Sequence, residues 1–111
     1  MNLELDKYQD YKEKILFGRY ITNESISKLK KSYNFSIIGE SSNNLPIFSL
    51  KRGSGSVKIL IWSQMHGNES TSTKALFDCL SFFDKYERDI FSKVTLFVVP
   101  ILNPDGALNY T

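Results

Sequence analysis

The spacing of apolar residues changes near residue 34, and the N-terminal part before it has a helical pattern. Over residues 5–17, the apolar side chains recur at intervals that place them on one helix face. A second short helix is expected to begin near Thr22 or Asn23, either of which is a competent N-cap, and to run to about Lys31. The pattern therefore predicts an N-terminal helical segment over residues 1–33.

Residues 34–111 have a different pattern, which begins with a β-hairpin. Residues 35–38 and 45–50 form short, partly alternating apolar runs. The intervening residues 39–44 are rich in turn formers. Two short strands joined by such a turn are typical of an antiparallel hairpin.

A strand, a helix and a second strand follow the hairpin. Residues 57–62 form a nearly continuous apolar run, which is typical of a strand covered on both faces. Residues 69–86 carry apolar side chains at helical spacing. Residues 94–102 form another β-rich run, and we expect this strand to be an open edge of the sheet. The order predicts a βαβ unit with parallel strands and a right-handed crossover. The predicted fold class is α/β, with a mixed β-sheet and a βαβ unit flanked by helices.

Composition and charge exclude several classes of protein. The chain is 41% hydrophobic and 23% charged, which is typical of a globular domain. A net charge of +2 is too small to favour nucleic acid or an anionic membrane as a partner. The basic cluster of Lys28, Lys30 and Lys31 is interpreted as a solvated helix face.

The sequence carries no signal peptide pattern and a single cysteine, which bear on its location and its thiol chemistry. The N-terminus lacks the pattern of a signal peptide, and no apolar run approaches the ~20 residues that cross a membrane. We therefore expect a cytoplasmic location. Cys79 is the one cysteine, so no internal disulfide can form, and its apolar surroundings in the sequence predict a small core residue.

The chemistry of the chain is concentrated around His66, its one histidine. His66 and Glu69 follow the first strand of the βαβ unit, and residues 103–106 follow the second. Parallel strands bring both loops to the same edge of the sheet, where α/β folds bind ligands. An imidazole and a carboxylate suit zinc, but a catalytic zinc commonly takes three protein ligands. The alternative is that Glu69 stabilises the helix start and His66 is a hydrogen-bonded loop residue.

Two motifs make the chain recognisable. Residues 62–70, WSQMHGNES, resemble the His-x-x-Glu zinc motif of the M14 zinc carboxypeptidase family. Residues 100–106, PILNPDG, resemble the Asn-Pro-Asp-Gly turn of the same family, and residues 38–41 and 45–48 look like its entry hairpin. The resemblance covers roughly residues 34–111, which we expect to be the N-terminal part of an M14 carboxypeptidase-like domain.

The resemblance implies a partial zinc-carboxypeptidase-like fold of the phosphorylase/hydrolase-like type. It implies a zinc-dependent metallocarboxypeptidase that releases C-terminal residues from peptide substrates with a free C-terminus. His66 and Glu69 carry over as two ligands of Zn²⁺. The family's second zinc histidine, its two arginines and its general-base glutamate come later and have no counterpart here. We therefore expect an N-terminal piece of the enzyme that is inactive by itself.

The resemblance leaves several alternatives open. Residues 103–106 are interpreted as a structural turn at the rim of the site, with Asp105 as a catalytic carboxylate the alternative. The related aspartoacylase and succinylglutamate desuccinylase type of zinc deacylase uses a similar first motif, although the Asn-Pro-Asp-Gly turn favours the peptidase. A non-catalytic relative that binds peptides is a further alternative. The residue preference at the substrate C-terminus and the oligomeric state are left open.

Overall fold

The computed structural model describes residues 7–111; residues 1–6 lie outside the described part. Short helices α1 and α2 precede a hairpin of strands β1 and β2. Strand β3, the long helix α3, the short helix α4, strand β4 and helix α5 follow. Their bounds are α1 Tyr8–Tyr11, α2 Asn23–Ser27, β1 Phe35–Glu40, β2 Pro46–Gly53, β3 Val57–Trp62, α3 Thr71–Tyr86, α4 Ile90–Lys93, β4 Val94–Val99 and α5 Pro104–Asn109.

The four strands form one mixed sheet in the order β1-β2-β4-β3. Strands β1 and β2 are antiparallel, β2 and β4 are antiparallel, and β3 and β4 are parallel. The predicted hairpin, the predicted βαβ unit and the α/β fold class with a mixed sheet are therefore confirmed.

Strand β4 lies inside the sheet, and the two edge strands are β1 and β3. Strand β2 pairs with one side of β4 and β3 with the other, so the expectation of an open edge at residues 94–102 is wrong. The expectation that residues 57–62 are covered on both faces is also wrong for these residues. Leu60 is 61% exposed and Trp62 50% exposed. Residues 57–62 are as apolar as a central strand, but among the described residues this strand pairs with β4 alone.

The N-terminal helix is much shorter than predicted. Helix α1 ends at Tyr11, and Lys12 is already extended, so a helix over residues 7–17 is wrong; residues 5 and 6 lie outside the described part. The backbone N–H of Glu13 donates to the Asp78 carboxylate on α3, over 2.8 Å. A tertiary hydrogen bond thus replaces the helical one at that position. Helix α2 begins at the predicted site, with Thr22 as its N-cap.

A single core joins the N-terminal residues to the sheet. Apolar side chains from both parts pack in one buried cluster, with Phe77 of α3 among them. The members before residue 34 are Leu16, Ile21, Ile26, Leu29 and Tyr33. The division of the chain at residues 33 and 34 stays a prediction, although the two parts share this core. No helix within residues 7–111 has the length and apolar character that a membrane-spanning segment requires.

Cys79 lies on the exposed side of α3, so its prediction as a core residue is wrong. Leu80 is buried, and adjacent helix residues point about 100° apart, so Cys79 turns away from the core. Partial burial of the thiol, and secondarily the Asp78 carboxylate, raise the pKa of Cys79 above its ordinary value.

The raised pKa predicts that the thiol of Cys79 is alkylated slowly. A smaller thiolate fraction near pH 8 should make iodoacetamide alkylate Cys79 several-fold more slowly in the folded chain than in urea, although the residue is exposed. The native rate should rise with pH beyond the range where an ordinary thiol levels off. Mass spectrometry of the alkylated fraction against time measures both rates. Equal rates in the folded and unfolded chain would contradict the prediction.

Candidate metal site

The two polar loops predicted to converge do so, because the pairing of β3 with β4 continues past both strands. The backbone N–H of Ser63 donates to Val99 O over 3.1 Å, and Leu102 N–H donates to Ser63 O over 3.0 Å. One residue further, Asn103 N–H donates to Gln64 O over 3.0 Å. The loop that carries His66 is therefore held directly against the loop that begins at Asn103.

His66 and Glu69 are in direct contact at this edge of the sheet. His66 Nδ1 and Glu69 Oε1 form a hydrogen bond, and a backbone hydrogen bond from Glu69 N–H to His66 O closes the turn between them over 3.2 Å. Their side chains are 65% and 61% exposed. They lie in an open cleft of about 280 Å³ whose other lining side chains include Trp62, Met65 and Ser72.

The donor atoms of this pair fit a zinc ion. An imidazole nitrogen and a carboxylate oxygen are ordinary zinc ligands, and one short turn already brings them together. Their exposure leaves room for further ligands and water on the solvent side. Within residues 7–111, no group of three or more histidine, cysteine, aspartate or glutamate side chains could hold a metal ion. The pair is therefore an incomplete ligand set.

The position of Glu69 differs from the prediction. Helix α3 begins at Thr71 with Ser70 as its N-cap, so Glu69 lies before the first turn and not within it. No acidic residue occupies that first turn. Since a helix dipole acts mainly within the terminal turn, stabilisation of the helix start is a weaker explanation of Glu69 than the sequence suggested. The His66–Glu69 hydrogen bond itself remains the structural alternative to a metal site.

Residues 103–106 cap and begin helix α5, where the sequence predicted a structural turn at the rim of the site. The Asn103 side chain caps α5 by accepting from Gly106 N–H over 2.9 Å, and it donates to Met65 O over 3.3 Å. Asp105 accepts from the Ser41 hydroxyl over 2.6 Å. The carboxylate of Asp105 thus binds the β1–β2 turn, and no described hydrogen bond connects it to His66. This arrangement supports a structural role for Asp105.

Gly67 permits the close approach of the two loops. A Cβ atom added to Gly67 would lie 1.8 Å from the backbone carbon of Gly106 and 2.1 Å from Ala107 N. The φ of Gly67 is not among the positive values, so its backbone angles do not require glycine. The unusual angle occurs at Gln64, whose φ is +47°. Gly67 is required here for space.

Two buried polar residues close to His66 and Glu69 in the sequence, Gln64 and Thr73, were not predicted. Gln64 is 2% exposed and Thr73 is 0% exposed, and the two side chains are hydrogen-bonded to each other. A polar residue two positions after the end of an apolar strand was the available signal for Gln64. Thr73 gave no signal, because a threonine in a helix of mixed polarity is ordinary.

The family is decided by a match that covers most of the chain. Residues 15–110 match the family model described as zinc carboxypeptidase, of the M14 peptidases. The chain belongs to the zinc carboxypeptidase family. The match includes the pair His66 and Glu69 and the turn at residues 103–106, and it begins within the segment before residue 34. No curated protein sequence matches the chain.

Solved carboxypeptidase structures share the fold. The metallo-carboxypeptidase from Burkholderia cenocepacia is 22% identical, with a TM-score of 0.65 over 78% of this chain and 28% of its own. Bovine thrombin-activatable fibrinolysis inhibitor, solved with tick carboxypeptidase inhibitor, is 16% identical, with a TM-score of 0.60 over 88% of this chain and 34% of its own. The chain therefore spans about a third or less of the length of these two relatives. The partial zinc-carboxypeptidase fold that the resemblance implied is confirmed.

Proposed function

We propose that this chain supplies two of the three protein ligands of a catalytic zinc ion, in a metallocarboxypeptidase that releases C-terminal residues from peptides. The observation that carries the proposal is the contact of His66 Nδ1 with Glu69 Oε1 at the carboxyl edge of a parallel strand pair. Membership of the zinc carboxypeptidase family supports zinc as the metal.

The roles of the chain's own residues follow from this placement. Zinc, when bound, would polarise the scissile carbonyl and lower the pKa of a water molecule. His66 and Glu69 would hold the ion at the sheet edge, and the open cleft beside Trp62 and Met65 would admit the peptide. A third ligand, a general base and a group that binds the substrate carboxylate have no assigned residue here. The chain alone is therefore inactive under this proposal.

The geometry indicates where the missing groups would enter. Strand β3 is an edge strand of the sheet and leads directly into the His66 loop. Polypeptide that paired with β3 would lie beside the His66–Glu69 pair, whichever molecule it came from. Leu60 and Trp62 are exposed on one face of β3, so covering them would take an element packed on that face.

The proposal is tested by zinc titration of the isolated chain. A four-ligand structural site contributes about 10–16 kcal/mol, so two ligands should give a dissociation constant on the order of 1–100 μM. His66→Ala and Glu69→Ala should each abolish measurable binding in calorimetry, and a chelator should barely change the melting temperature of the unaltered chain. Glu40→Ala, which removes an exposed carboxylate outside the cleft, is the matched control.

Two results would contradict this assignment. If His66→Ala bound zinc as tightly as the unaltered chain, His66 would not be a ligand. A nanomolar affinity of the monomer would show that the ligand set is already complete, against the role proposed here.

A non-catalytic peptide-binding role is the second candidate, since one histidine cannot complete the common zinc set. The two candidate functions predict different selectivity for the C-terminus of a bound peptide. The isolated chain should not distinguish a peptide with a free C-terminal carboxylate from its amidated form, because no carboxylate-binding arginine is assigned in it. A clear preference for the free carboxylate in a fluorescence titration would favour the binding role. The family match favours the peptidase over the deacylase alternative, and a cytoplasmic location stays a prediction.

A further inference from the structure

We infer that Gln64 is a positioning residue for the metal-binding loop, a role that rests on the proposed function. Gln64 is almost completely buried, two residues before His66, and its backbone has a φ of +47°. Left-handed backbone favours glycine, and a glutamine persists there only when its surroundings hold it. The hydrogen bonds of its side chain show which segments of the chain Gln64 connects.

The side-chain amide of Gln64 joins three segments of the chain. Nε2 donates to Ile21 O over 3.0 Å and to Gly67 O over 2.9 Å, and Oε1 accepts from the Thr73 hydroxyl over 2.6 Å. Both N–H groups and the carbonyl of the amide are thus paired, as a buried amide requires. The segments joined are the N-terminal residues, the loop that carries His66, and helix α3.

The contact with Gly67 bears directly on the metal ligands. Gly67 follows His66 and precedes Glu69 by two residues, so its carbonyl lies in the short backbone path between the two ligands. Fixing that carbonyl restricts the orientations in which the imidazole and the carboxylate meet. A chelating pair binds more tightly when its geometry is set before the metal arrives. An apolar side chain could fill the same space, but it could not bond to this carbonyl.

The N-terminal segment provides a second anchor for the same region. Besides the bond from Gln64 to Ile21, the Ser70 hydroxyl donates to Arg19 O over 2.7 Å, and Lys74 Nζ donates to Gly18 O over 2.6 Å. Side chains on both sides of the loop therefore bind the carbonyls of a stretch that ends at Ile21. Through Gln64, this stretch is hydrogen-bonded to the loop that carries His66.

Three variants at residue 64 separate the effect of losing the side-chain hydrogen bonds from the effect of the strained backbone conformation. Gln64→Gly removes the amide but suits a positive φ, so the chain should remain folded. Gln64→Ala removes the amide and keeps the unfavourable backbone, so it should melt at a lower temperature than Gln64→Gly. Gln64→Asn tolerates a positive φ but is one methylene too short to reach the same partners. Gln9→Ala, at an exposed glutamine, is the control.

The decisive readouts are measured on the folded protein, well below the melting temperature. We expect zinc affinity to fall about tenfold in Gln64→Gly and Gln64→Asn, and amide hydrogen exchange at Glu69, whose N–H donates to His66 O, to accelerate about tenfold. Gln9→Ala should change neither. A purely structural role would lower the melting temperature and leave both readouts unchanged in the folded variants, and that result would overturn the inference.

The exchange measurement keeps this inference separate from the proposed function. If zinc bound equally to the unaltered chain and to His66→Ala, the proposed function would fail, and the role of Gln64 toward a metal would fail with it. If zinc binding required His66 but Gln64→Gly and Gln64→Asn left the affinity and the exchange rates unchanged, the role of Gln64 alone would be wrong. If Gln64→Gly did not fold, Gln64→Asn would decide the question by the same two measurements.

Discussion

Replacing Gly67 with alanine should destabilise the chain by about 3 kcal/mol, at the upper end of the usual range for overpacking. The added methyl would overlap the backbone of Gly106 and Ala107, at distances of 1.8 and 2.1 Å. Backbone cannot move aside as a flexible side chain can, so the loop that carries His66 and the start of α5 must separate. Urea denaturation followed by circular dichroism measures the loss.

Gly39→Ala is the matched control for this prediction. A Cβ at Gly39 would have its nearest neighbour, Ile47 Cδ1, at 4.0 Å, which is ordinary contact. The control should therefore change stability by less than about 0.5 kcal/mol, as surface substitutions usually do. In Gly67→Ala, zinc affinity should fall together with stability, since the displaced loop carries His66. Equal stability of the two variants would refute the close packing described for Gly67.

Phe77→Ala should remove most of the stability of the isolated chain. Phe77 is 0% exposed and packs edge-on against Tyr33, with ring centroids 5.3 Å apart. Truncating a buried phenylalanine costs about 3–5 kcal/mol, and whole domains are stable by only about 5–15 kcal/mol. The open edge at β3 leaves apolar area uncovered, so we expect the stability of this chain to lie near the low end of that range.

Phe17→Ala makes the same chemical change at a side chain that is 77% exposed, and it should alter stability by less than about 0.5 kcal/mol. Thermal unfolding of the two variants and the unaltered chain provides the comparison. Similar effects of the two substitutions would show that Phe77 does not stabilise the core as the structure indicates.

The elements that were predicted correctly depend on local patterns. Apolar spacing located β1, β2, β3 and α3 within a few residues, and turn-forming residues located the hairpin. The convergence of the His66 loop with residues 103–106 was also predictable, because parallel strands must end at the same edge. Both metal-ligand candidates lie within one short motif, so no knowledge of distant contacts was needed to find them.

The errors arose where distant residues decide the outcome. The helix predicted up to residue 17 ends at Tyr11, because Asp78 binds the backbone of Glu13 from another element. Strand β4 is not an edge strand because the hairpin pairs with its second side. Neither contact leaves a periodic signal in the sequence, since each depends on how separate elements are placed.

The sequence by itself determined the kind of fold and the family and located the candidate metal ligands, because each is written in residues that are neighbours along the chain. The tertiary structure alone decided that Gln64 connects three segments, that Gly67 is needed for space beside Gly106, and that β3 lies at an edge of the sheet. The physical reason is the range of the interactions. Spacing and turn chemistry act between neighbours, whereas packing and buried hydrogen bonds depend on residues that only folding brings together.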